Sequence, residues 1–449
     1  MKRIYLLLLL AAITFSAQSQ NFTVRTVKSN LFIPWEIIYG PGDSIWFTQK
    51  NGFICRLDAV SGHTDTLYHE TNNVIQSEGG MLGLALHPSF PDTPYVYAAY
   101  QYNQGGYKER IVRYTYFYQG DTLGSPLTLL DNITGANFHN GCRLLIVNDK
   151  LFITTGDAGN TATAQTLSSL NGKVLRINLD GSIPNDNPIP GNPAWSWGDR
   201  NSQGMVYANG RLYTSMHGDS NDDEINIIEG GRNYGWPNVE GYCDGSELTF
   251  CNDSNVAEPI YTWTPTIAPA GLDYYDHPMF PQWQNALIMC TLKDTSMYIM
   301  KLNGTHDSII AAIRIDTLHI GRIRDICISP NGSIFLSTSM SPASGNGNKI
   351  DRIVELYDSS FVPAGVPVAV KNNALRVYPN PARQEVTVSL HNATTTGLSY
   401  RLLNVTGQVA KQGKMEKGTI SITELPAGMY HLLLTDTKGA VFTAKILKE

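Results

Sequence analysis

The feature that most constrains the fold of this chain is a hairpin unit that recurs from Trp35 onward. Each unit has an apolar run, a turn with Gly, Asn or Asp, and a second apolar run ending near Thr or Ser. Such turns between apolar runs predict β-hairpins. The predicted hairpins span residues 37–49, 143–157, 205–216 and 326–340, third strands follow at 54–60, 172–181 and 349–358, and residues 285–304 repeat the pattern. Recurrence with long insertions between the units is typical of a β-propeller.

The sequence therefore predicts an all-β protein with two folded parts. Residues 22–358 are expected to form a β-propeller that is roughly six-bladed. A single β-sandwich is the less favoured alternative, because it would not need so many equivalent hairpins. Residues 359–374, rich in Pro, Val, Ala and Asn, read as a linker, and the alternation of apolar residues over 375–449 predicts a small C-terminal β-sandwich.

The N-terminus and the overall charge bear on location and partners. Residues 1–19 have a basic start, an apolar centre and a small-residue end, which together are typical of a secretory signal peptide. No stretch reaches the roughly 18 consecutive apolar residues of a transmembrane helix, so we expect an exported protein with no transmembrane segment. The net charge of −6 over 449 residues gives no reason to expect a nucleic-acid partner.

Cysteine usage agrees with export. Six cysteines in an exported chain allow disulfides. Cys243 and Cys251 are close in sequence and bracket a polar loop, so we predict that they pair. The other four lie in apolar, strand-like runs and are expected to be buried thiols. The spacing contains no CxxC motif and no zinc pattern.

The stretch from Trp195 to Pro237 holds the first candidate site. Arg200 supplies a permanent cation with five donors. The acidic loop 217–224 offers carboxylates and carbonyls to a hard cation such as calcium. Since one hairpin joins the arginine to this loop, they could hold an anionic cofactor between them. A solvated acidic turn beside a structural arginine is the alternative.

A histidine and an aspartate form the second candidate, and Glu78 belongs to a separate one at residues 77–90. A hairpin that turns at residues 148–149 should bring His139 and Asp157 to the same end of one sheet. A carboxylate beside a histidine orients the ring and raises its basicity. Glu78 precedes a Gly-Gly pair that lets the backbone approach a ligand closely. His87, before a proline at a strand end, is expected to pack.

Cations near strand starts form the third candidate. Arg322 and Arg324 alternate at the entry of a strand, which would put both guanidinium groups on one face. Together with Lys293 and Arg200 they suggest a multi-carboxylate anion, and Trp263 could stack on it. Taken singly, each cation could instead be a surface charge.

Residues 30–358 resemble the soluble quinoprotein glucose/sorbosone dehydrogenases, also called aldose sugar dehydrogenases. The matching segments, in the family's order, are PWEIIY (34–39), EGGMLGLALHPSF (78–90), HNGCRLL (139–145), TTGD (154–157), WGDRNSQGM (197–205), GDSNDDEIN (218–226), NYGWPNVEGY (233–242), TPTIAPAG (264–271), LK (292–293) and RIRD (322–325). The resemblance implies a six-bladed propeller that uses pyrroloquinoline quinone (PQQ) and Ca²⁺. It also implies oxidation of an aldose or similar polyol by hydride transfer, with an external electron acceptor because no CxxCH haem motif is present.

Family roles can be placed on these residues one at a time. The resemblance makes His139 the general base, Asp157 its orienting partner and Arg200 the group that stabilises charge at the quinone. Glu78 would lie beside the sugar, where it adds a charge that the family's polar residue lacks. The implied cofactor contacts are Asn201, Trp263, Lys293, Arg322 and Arg324.

Two calcium sites are also implied by the resemblance. The carbonyls of Gly218 and Asp219 would bind the catalytic ion. The backbone of Glu240 and Tyr242, with the carboxylate of Asp244, would bind a second ion. Asp219 stands where the glucose dehydrogenases carry Pro, so the metal loop differs here.

The C-terminal residues resemble another family, the sorting domains of the Bacteroidetes type IX secretion system. The matching pieces are VYPNPARQEVTV (377–388), LLNVTGQ (402–408), LPAGMYHL (425–432) and KILK (445–448). This implies the type IX machinery as a partner and a secreted or cell-surface location.

Two other functions remain open from the sequence. A non-enzymatic propeller that binds a partner without any cofactor would have no need of the His139 and Arg200 set. A calcium-dependent hydrolase of the lactonase kind would need calcium ligands converging from several blades, and no such set is evident.

Overall fold

A computed structural model describes residues 22–340, 349–361, 375–390, 398–404, 409–415, 418–435 and 441–449. The predicted signal peptide, 1–19, and most of the predicted linker lie outside these residues. The chain divides into two compact units, the first ending at Ser360 and the second beginning at Phe361. Each is described by itself.

Short antiparallel strands make up most of the first unit. Its strands are β1 (Thr23–Leu31), β2 (Pro34–Gly40), β3 (Ser44–Gln49), β4 (Phe53–Asp58), β5 (Thr64–His69), β6 (Met81–Leu86), β7 (Tyr95–Asn103), β8 (Tyr107–Phe117), β9 (Thr122–Thr134), β10 (Gly141–Val147), β11 (Lys150–Thr155), β12 (Lys173–Asn178), β13 (Ala194–Trp197), β14 (Ser202–Ala208), β15 (Arg211–Met216), β16 (Asp223–Ile228), β17 (Tyr261–Trp263), β18 (Pro269–Tyr275), β19 (Ala286–Thr291), β20 (Met297–Leu302), β21 (Ile309–Ile315), β22 (Ile323–Ile328), β23 (Ile334–Thr338) and β24 (Asp351–Tyr357). The helical segments described are α1 (Ala162–Gln165), α2 (Leu248–Asp253) and 3₁₀ turns at Gly245–Glu247 and Pro281–Trp283.

These strands form six four-stranded sheets within the described residues. Five sheets follow the chain directly: β2–β5, β6–β9, β10–β13, β14–β17 and β18–β21. In the sixth, β22, β23 and β24 are completed by β1, which pairs antiparallel with β24 and sets Thr23 opposite Tyr357. The first strand of the chain therefore closes the last sheet.

The first strands of these sheets form a closed ring. Their contacts run from β2 to β6, β10, β14, β18 and β22, and then back to β2. Hydrogen bonds also join the starts of these strands, because Gly141 donates to Asn201 and Arg324 donates to Gln203. A ring of sheets radiating from a common axis is the arrangement of a propeller. The predicted all-β character of the chain is confirmed.

Every strand of this inner ring shifts register within its first few residues. The shifts lie between Pro34 and Ile37, Met81 and Leu84, Gly141 and Leu144, Ser202 and Gly204, Pro269 and Leu272, and Ile323 and Asp325. An irregularity of this kind re-aims side chains and is common beside active sites. Gln203 and Arg324 are residues that the pairing skips, and both are buried.

The ring is also held together by a buried charge. Arg143 lies between the carboxylates of Glu36 and Asp325, at 2.7 and 2.8 Å, and its guanidinium stacks 4.4 Å from the centre of the Trp35 ring. Burial raises the pKa of Glu36 to about 8, although the charge of Arg143 opposes the rise. This cluster ties three strands of the ring to one another across its axis.

The cysteines behave as the sequence predicts. Cys243 and Cys251 form a disulfide with Cα atoms 6.4 Å apart. The four others, Cys55, Cys142, Cys290 and Cys327, are buried thiols. The disulfide closes the loop that holds α2.

The second unit consists of two antiparallel sheets. Its strands are β25 (Leu375–Tyr378), β26 (Glu385–Leu390), β27 (Ser399–Leu403), β28 (Val409–Lys414), β29 (Thr419–Ser421), β30 (Gly428–Thr435) and β31 (Val441–Lys448). One sheet has the order β25-β26-β29 and the other β28-β27-β30-β31. Val386 and Ile420 from the first share an apolar cluster with Leu402 and Leu432 from the second. Among the residues described in either unit, no helix is both long and apolar enough to cross a membrane.

Candidate functional site

The predicted pair of His139 and Asp157 meets at one end of the ring. The strands β10 and β11 turn through Asn148 and Asp149, whose φ angles of 49° and 57° suit a two-residue hairpin. Nδ1 of His139 lies 2.7 Å from Oδ1 of Asp157. The local hairpin geometry therefore delivers the juxtaposition that the spacing predicted.

Asp157 is held as an anion by its surroundings. Its carboxylate is buried and accepts hydrogen bonds from the Gly159 amide at 2.7 Å and the Trp236 indole at 2.9 Å. Burial raises the pKa of Asp157, but the hydrogen bonds from His139, Gly159 and Trp236 outweigh it, so that the pKa falls below its usual value. An ionised, fully bonded carboxylate fixes the orientation of the imidazole.

The backbone of His139 is fixed as well. Its φ angle of 59° is in the left-handed region, and its amide donates to Oε2 of Glu78 at 2.9 Å. A Cβ added at Gly156 would lie 1.9 Å from the carbonyl oxygen of His139. The glycine in the TTGD segment is therefore required by this close approach. The Glu78 side chain therefore contacts the main chain of the histidine.

Arg200 lies against the same pair. Its carbonyl accepts the Asp157 amide at 2.9 Å, and its guanidinium lies 5.2 Å from the centre of the Trp236 ring. One terminal nitrogen donates to Oδ1 of Asp219 at 2.8 Å, and the Asp219 side chain is 60% exposed. The Nε of Arg200 is buried and has no hydrogen-bond partner among the described residues.

A chain of polar side chains continues from Arg200 into the ring. Oδ1 of Asn201 accepts from the Gly141 amide and from Nε2 of Gln203, both at 3.2 Å. Oε1 of Gln203 accepts from Arg324 at 2.9 Å. Within the described part of the chain, Nδ2 of Asn201 and Nε of Arg324 are buried donors without a partner. Glu78, Gly141, Gln203 and Arg324 line a small cavity here.

The pKa values of two cations around this cavity are shifted by burial and by neighbouring charges. Burial lowers the pKa of Arg324 to about 10, while the negative charge of Glu78 raises it. Lys50, which the sequence analysis did not single out, is buried and donates to the carbonyl of Ser77. Its pKa is lowered to about 8, first by burial and then by the charge of Arg324. The sequence signal that could have identified Lys50 is its position directly after the buried strand β3.

Two of the predicted cations lie at neighbouring strand ends. Lys293, just after β19, is exposed and donates to Oγ1 of Thr266 at 2.8 Å. Arg322, just before β22, donates to the carbonyl of Leu292 at 3.2 Å. Arg324 instead turns to Gln203 across the ring, because β22 shifts register between Ile323 and Asp325. The alternation predicted for Arg322 and Arg324 therefore does not hold there.

Trp263 makes its ring contacts with two tyrosines of this unit. It belongs to β17, the outermost strand of its sheet, and its ring packs against Tyr261 and Tyr298 with ring centres 4.6 and 5.6 Å away. The predicted role of Trp263 at the cofactor face stays a prediction.

One carboxylate of the acidic loop accepts hydrogen bonds from main-chain amides inside and outside the loop. Asp223 is buried and accepts from the amides of Gly218 at 2.9 Å and Ala268 at 2.8 Å, and also from Ile267. A Cβ at Gly218 would lie 1.8 Å from the carbonyl oxygen of Asn221, so the tight loop requires glycine. No cluster of three His, Cys, Asp or Glu residues suited to a metal occurs in the described residues. A cation held at Gly218 and Asp219 would therefore depend on main-chain carbonyls.

The residues predicted for a second calcium site lie in and before the disulfide loop. Burial and the charge of Asp219 raise the pKa of Glu240, and Arg200 opposes them. Glu240 thus lies within electrostatic reach of Asp219 and Arg200. Tyr242 and Asp244 are exposed, and the carbonyl of Asp244 accepts the Glu247 amide at 2.8 Å. The second calcium site stays a prediction.

Asp199, beside Arg200, gives a pH-dependent test of this region. It is completely buried, accepts from Ser202 at 3.0 Å and has a second oxygen with no partner among the described residues. Burial raises its pKa from 3.8 to about 6, although Ser202 and Lys173 oppose the rise. Because the folded state holds this proton more tightly, the free energy of unfolding should fall as pH rises from about 4 through about 6.

Asp199→Asn should remove that fall, which amounts to about 3 kcal/mol above pH 7 at ~1.4 kcal/mol per pKa unit. Urea denaturation at several pH values between 4 and 8 measures the difference between the two proteins. Asp180→Asn is the control, since Asp180 lies at the surface and bonds to Ser182. The same pH dependence in wild type and Asp199→Asn would contradict the expectation.

The fold and this site define a propeller-type protein with an oriented histidine at one end of its ring, beside cationic donors that have no partner among the described residues. Residues 31–349 match the glucose/sorbosone dehydrogenase family. The chain belongs to that family.

Characterised relatives support this assignment. The quinoprotein glucose dehydrogenase B of Acinetobacter calcoaceticus is 30% identical over 75% of this chain and 88% of its own. The structure of a PQQ-bound aldose sugar dehydrogenase from Streptomyces coelicolor is 32% identical, covers 75% of this chain and 98% of its own, and has a TM-score of 0.64. The apo aldose sugar dehydrogenase of Escherichia coli is 26% identical, covers 75% and 100%, and has a TM-score of 0.67. Together they indicate an oxidoreductase of the quinoprotein sugar dehydrogenase type.

The C-terminal unit belongs to a different family. Residues 376–449 match the secretion system C-terminal sorting domain. This indicates type IX export, either to the cell surface or into the medium.

Proposed function

We propose that this protein is a PQQ- and calcium-dependent dehydrogenase, exported from the cell, that oxidises an aldose or a similar polyol. The six sheets would be the blades of a six-bladed propeller, and an external acceptor would take the electrons. The observation that carries the proposal is the Asp157-bound His139 beside Arg200, at the end of the ring where buried donors lack partners within the described part of the chain.

The residues present fit an anionic quinone cofactor. Unpaired donors on Arg200, Asn201 and Arg324 are buried at one end of the ring, and buried donors without acceptors are costly. A cofactor with several carboxylates and carbonyls supplies such acceptors. Lys293 and Arg322 add cations at neighbouring strand ends. These residues would hold the cofactor.

His139 is placed to act as the base. Its Nδ1 is bound to Asp157, so Nε2 is the ring nitrogen that can take the hydroxyl proton of a sugar. Asp157 then stabilises the imidazolium, because its carboxylate stays ionised. Glu78 fixes the main chain of His139 by accepting its amide, which restricts the position of the ring.

When bound, PQQ would supply a two-electron acceptor for the hydride, and Ca²⁺ would polarise its quinone carbonyl. The carbonyls of Gly218 and Asp219 would hold the ion. Arg200 would place a second positive charge beside the same region, since it lies between Asp219 and the ring of Trp236.

Dye reduction by the purified full-length protein tests this function. We expect turnover with aldoses to require added PQQ and Ca²⁺ together, and a panel of aldoses and polyols would rank the substrates. PQQ binding without turnover on any member would contradict the proposed activity. Failure to bind PQQ would favour a non-enzymatic binding module, and sugar-lactone hydrolysis without PQQ would favour a hydrolase.

A further inference from the structure

Trp236 contacts both halves of the proposed catalytic centre. Its indole N–H donates to Oδ2 of Asp157 at 2.9 Å, while the other oxygen of this carboxylate faces His139. The face of the same indole lies 5.2 Å from the guanidinium carbon of Arg200. A single rigid side chain therefore touches the partner of the base and the neighbouring cation.

The indole is itself fixed by its surroundings. The Trp236 amide donates to the carbonyl of Gly198 at 3.0 Å, and its carbonyl accepts from Nε2 of Gln165 at 2.7 Å. Gln165 also exchanges hydrogen bonds with the side chain of Asn233. The ring is buried. Since main chain and ring are both held, the indole can impose its position on its neighbours.

We propose that Trp236 is a positioning residue for the dehydrogenase reaction. Its N–H holds the carboxylate of Asp157 in the plane that orients His139, and its ring supports the guanidinium of Arg200. The base and the cation thereby keep a fixed spacing while substrate and cofactor bind and leave. The effect on turnover rests on the proposed function, whereas the coupling to Asp157 is a property of the chain alone.

Trp236→Phe removes the N–H and keeps an aromatic face. We expect kcat to fall about tenfold with KM changed less than about twofold, because orientation and not sugar binding is lost. The acidic limb of the pH profile should move to higher pH. Without its indole donor, the Asp157 carboxylate is a stronger acceptor for its remaining side-chain partner, His139.

Two comparisons separate positioning from general stability. Trp195→Phe is the matched control, since the Trp195 ring also carries an arginine, with Arg176 at 4.7 Å, and should leave the profile in place. In an Asp157→Asn background, Trp236→Phe should have little further effect, because both changes act on one carboxylate. Unchanged kcat and pH profile in Trp236→Phe, or full additivity with Asp157→Asn, would overturn the proposal.

A spectroscopic measurement on the full chain without PQQ needs no activity. With ¹⁵N labelling, the indole resonance of Trp236 should move in Asp157→Asn, which removes the charge of its acceptor, and also in His139→Ala, which removes the other side-chain partner of that carboxylate. Trp236→Phe assigns the resonance, or Trp236→His if the phenylalanine variant does not fold. An indole resonance that stays in place in both Asp157→Asn and His139→Ala would overturn the coupling. Absence of sugar oxidation alone would count against the proposed function only.

Discussion

His139→Ala is expected to lower kcat for sugar oxidation by roughly 10²–10⁴-fold, the range for loss of a positioned general base. PQQ affinity should change little, because the buried donors without a partner among the described residues belong to Arg200, Asn201 and Arg324. The side chain of His139 is 15% exposed, so its truncation leaves a small opening at the surface of the site. Dye-linked turnover and PQQ titration of the same preparation measure the two quantities.

His87→Ala provides the control for this prediction. His87 lies after β6, where its Nδ1 accepts the Ser89 amide at 3.1 Å and its ring meets the edge of Tyr95. These contacts agree with the packing role expected from the sequence, and its removal should leave kcat unchanged. Retention of wild-type turnover in His139→Ala would exclude this histidine as the base.

The histidine pair could be predicted because its geometry is local. A two-residue turn with both φ angles positive returns β11 directly along β10, so residues flanking the hairpin must meet. His139 and Asp157 flank it on either side. Nothing distant in the sequence is needed to bring the imidazole and the carboxylate together.

Contacts across the ring could not be predicted from the sequence in the same way. The closing pair of β1 and β24 joins segments more than 300 residues apart, and no local pattern announces it. Arg324 departs from simple alternation because the pairing of β22 with β23 shifts beside it. Trp236 lies within the matching segment at residues 233–242. Its hydrogen bond to Asp157, however, depends on how two separate sheets meet.

The acidic loop shows why residue type alone overstates a metal site. Asp223 satisfies three amides of its own surroundings, and Glu224 accepts from Asn226 and the Gly241 amide. These carboxylates shape the loop. Among the described residues of the loop, Asp219 is the carboxylate that reaches Arg200. The resemblance could mark Asp219 as a departure in the metal loop, but it could not identify Arg200 as its partner.

The cation cluster gives the second large expected effect. Arg322→Ala combined with Arg324→Ala should weaken PQQ binding by roughly 10²–10⁴-fold, since a hydrogen bond to a charged group contributes about 1.5–3 kcal/mol. Arg324 should account for more of the loss. It is buried beside Glu78, and its removal would leave that carboxylate near the cofactor with less compensation.

Titration of PQQ into the apo protein with Ca²⁺ present measures this loss, and the single variants apportion it. Arg314→Ala is the control, because Arg314 is exposed and pairs with Asp294 and Asp316. Thermal unfolding shows whether the double variant keeps its fold, since removing a buried arginine also removes its bond to Gln203. A folded double variant that binds PQQ as tightly as wild type would show that the cofactor does not lie over these arginines. The unpaired donor of Arg324 would then need another acceptor at this end of the ring.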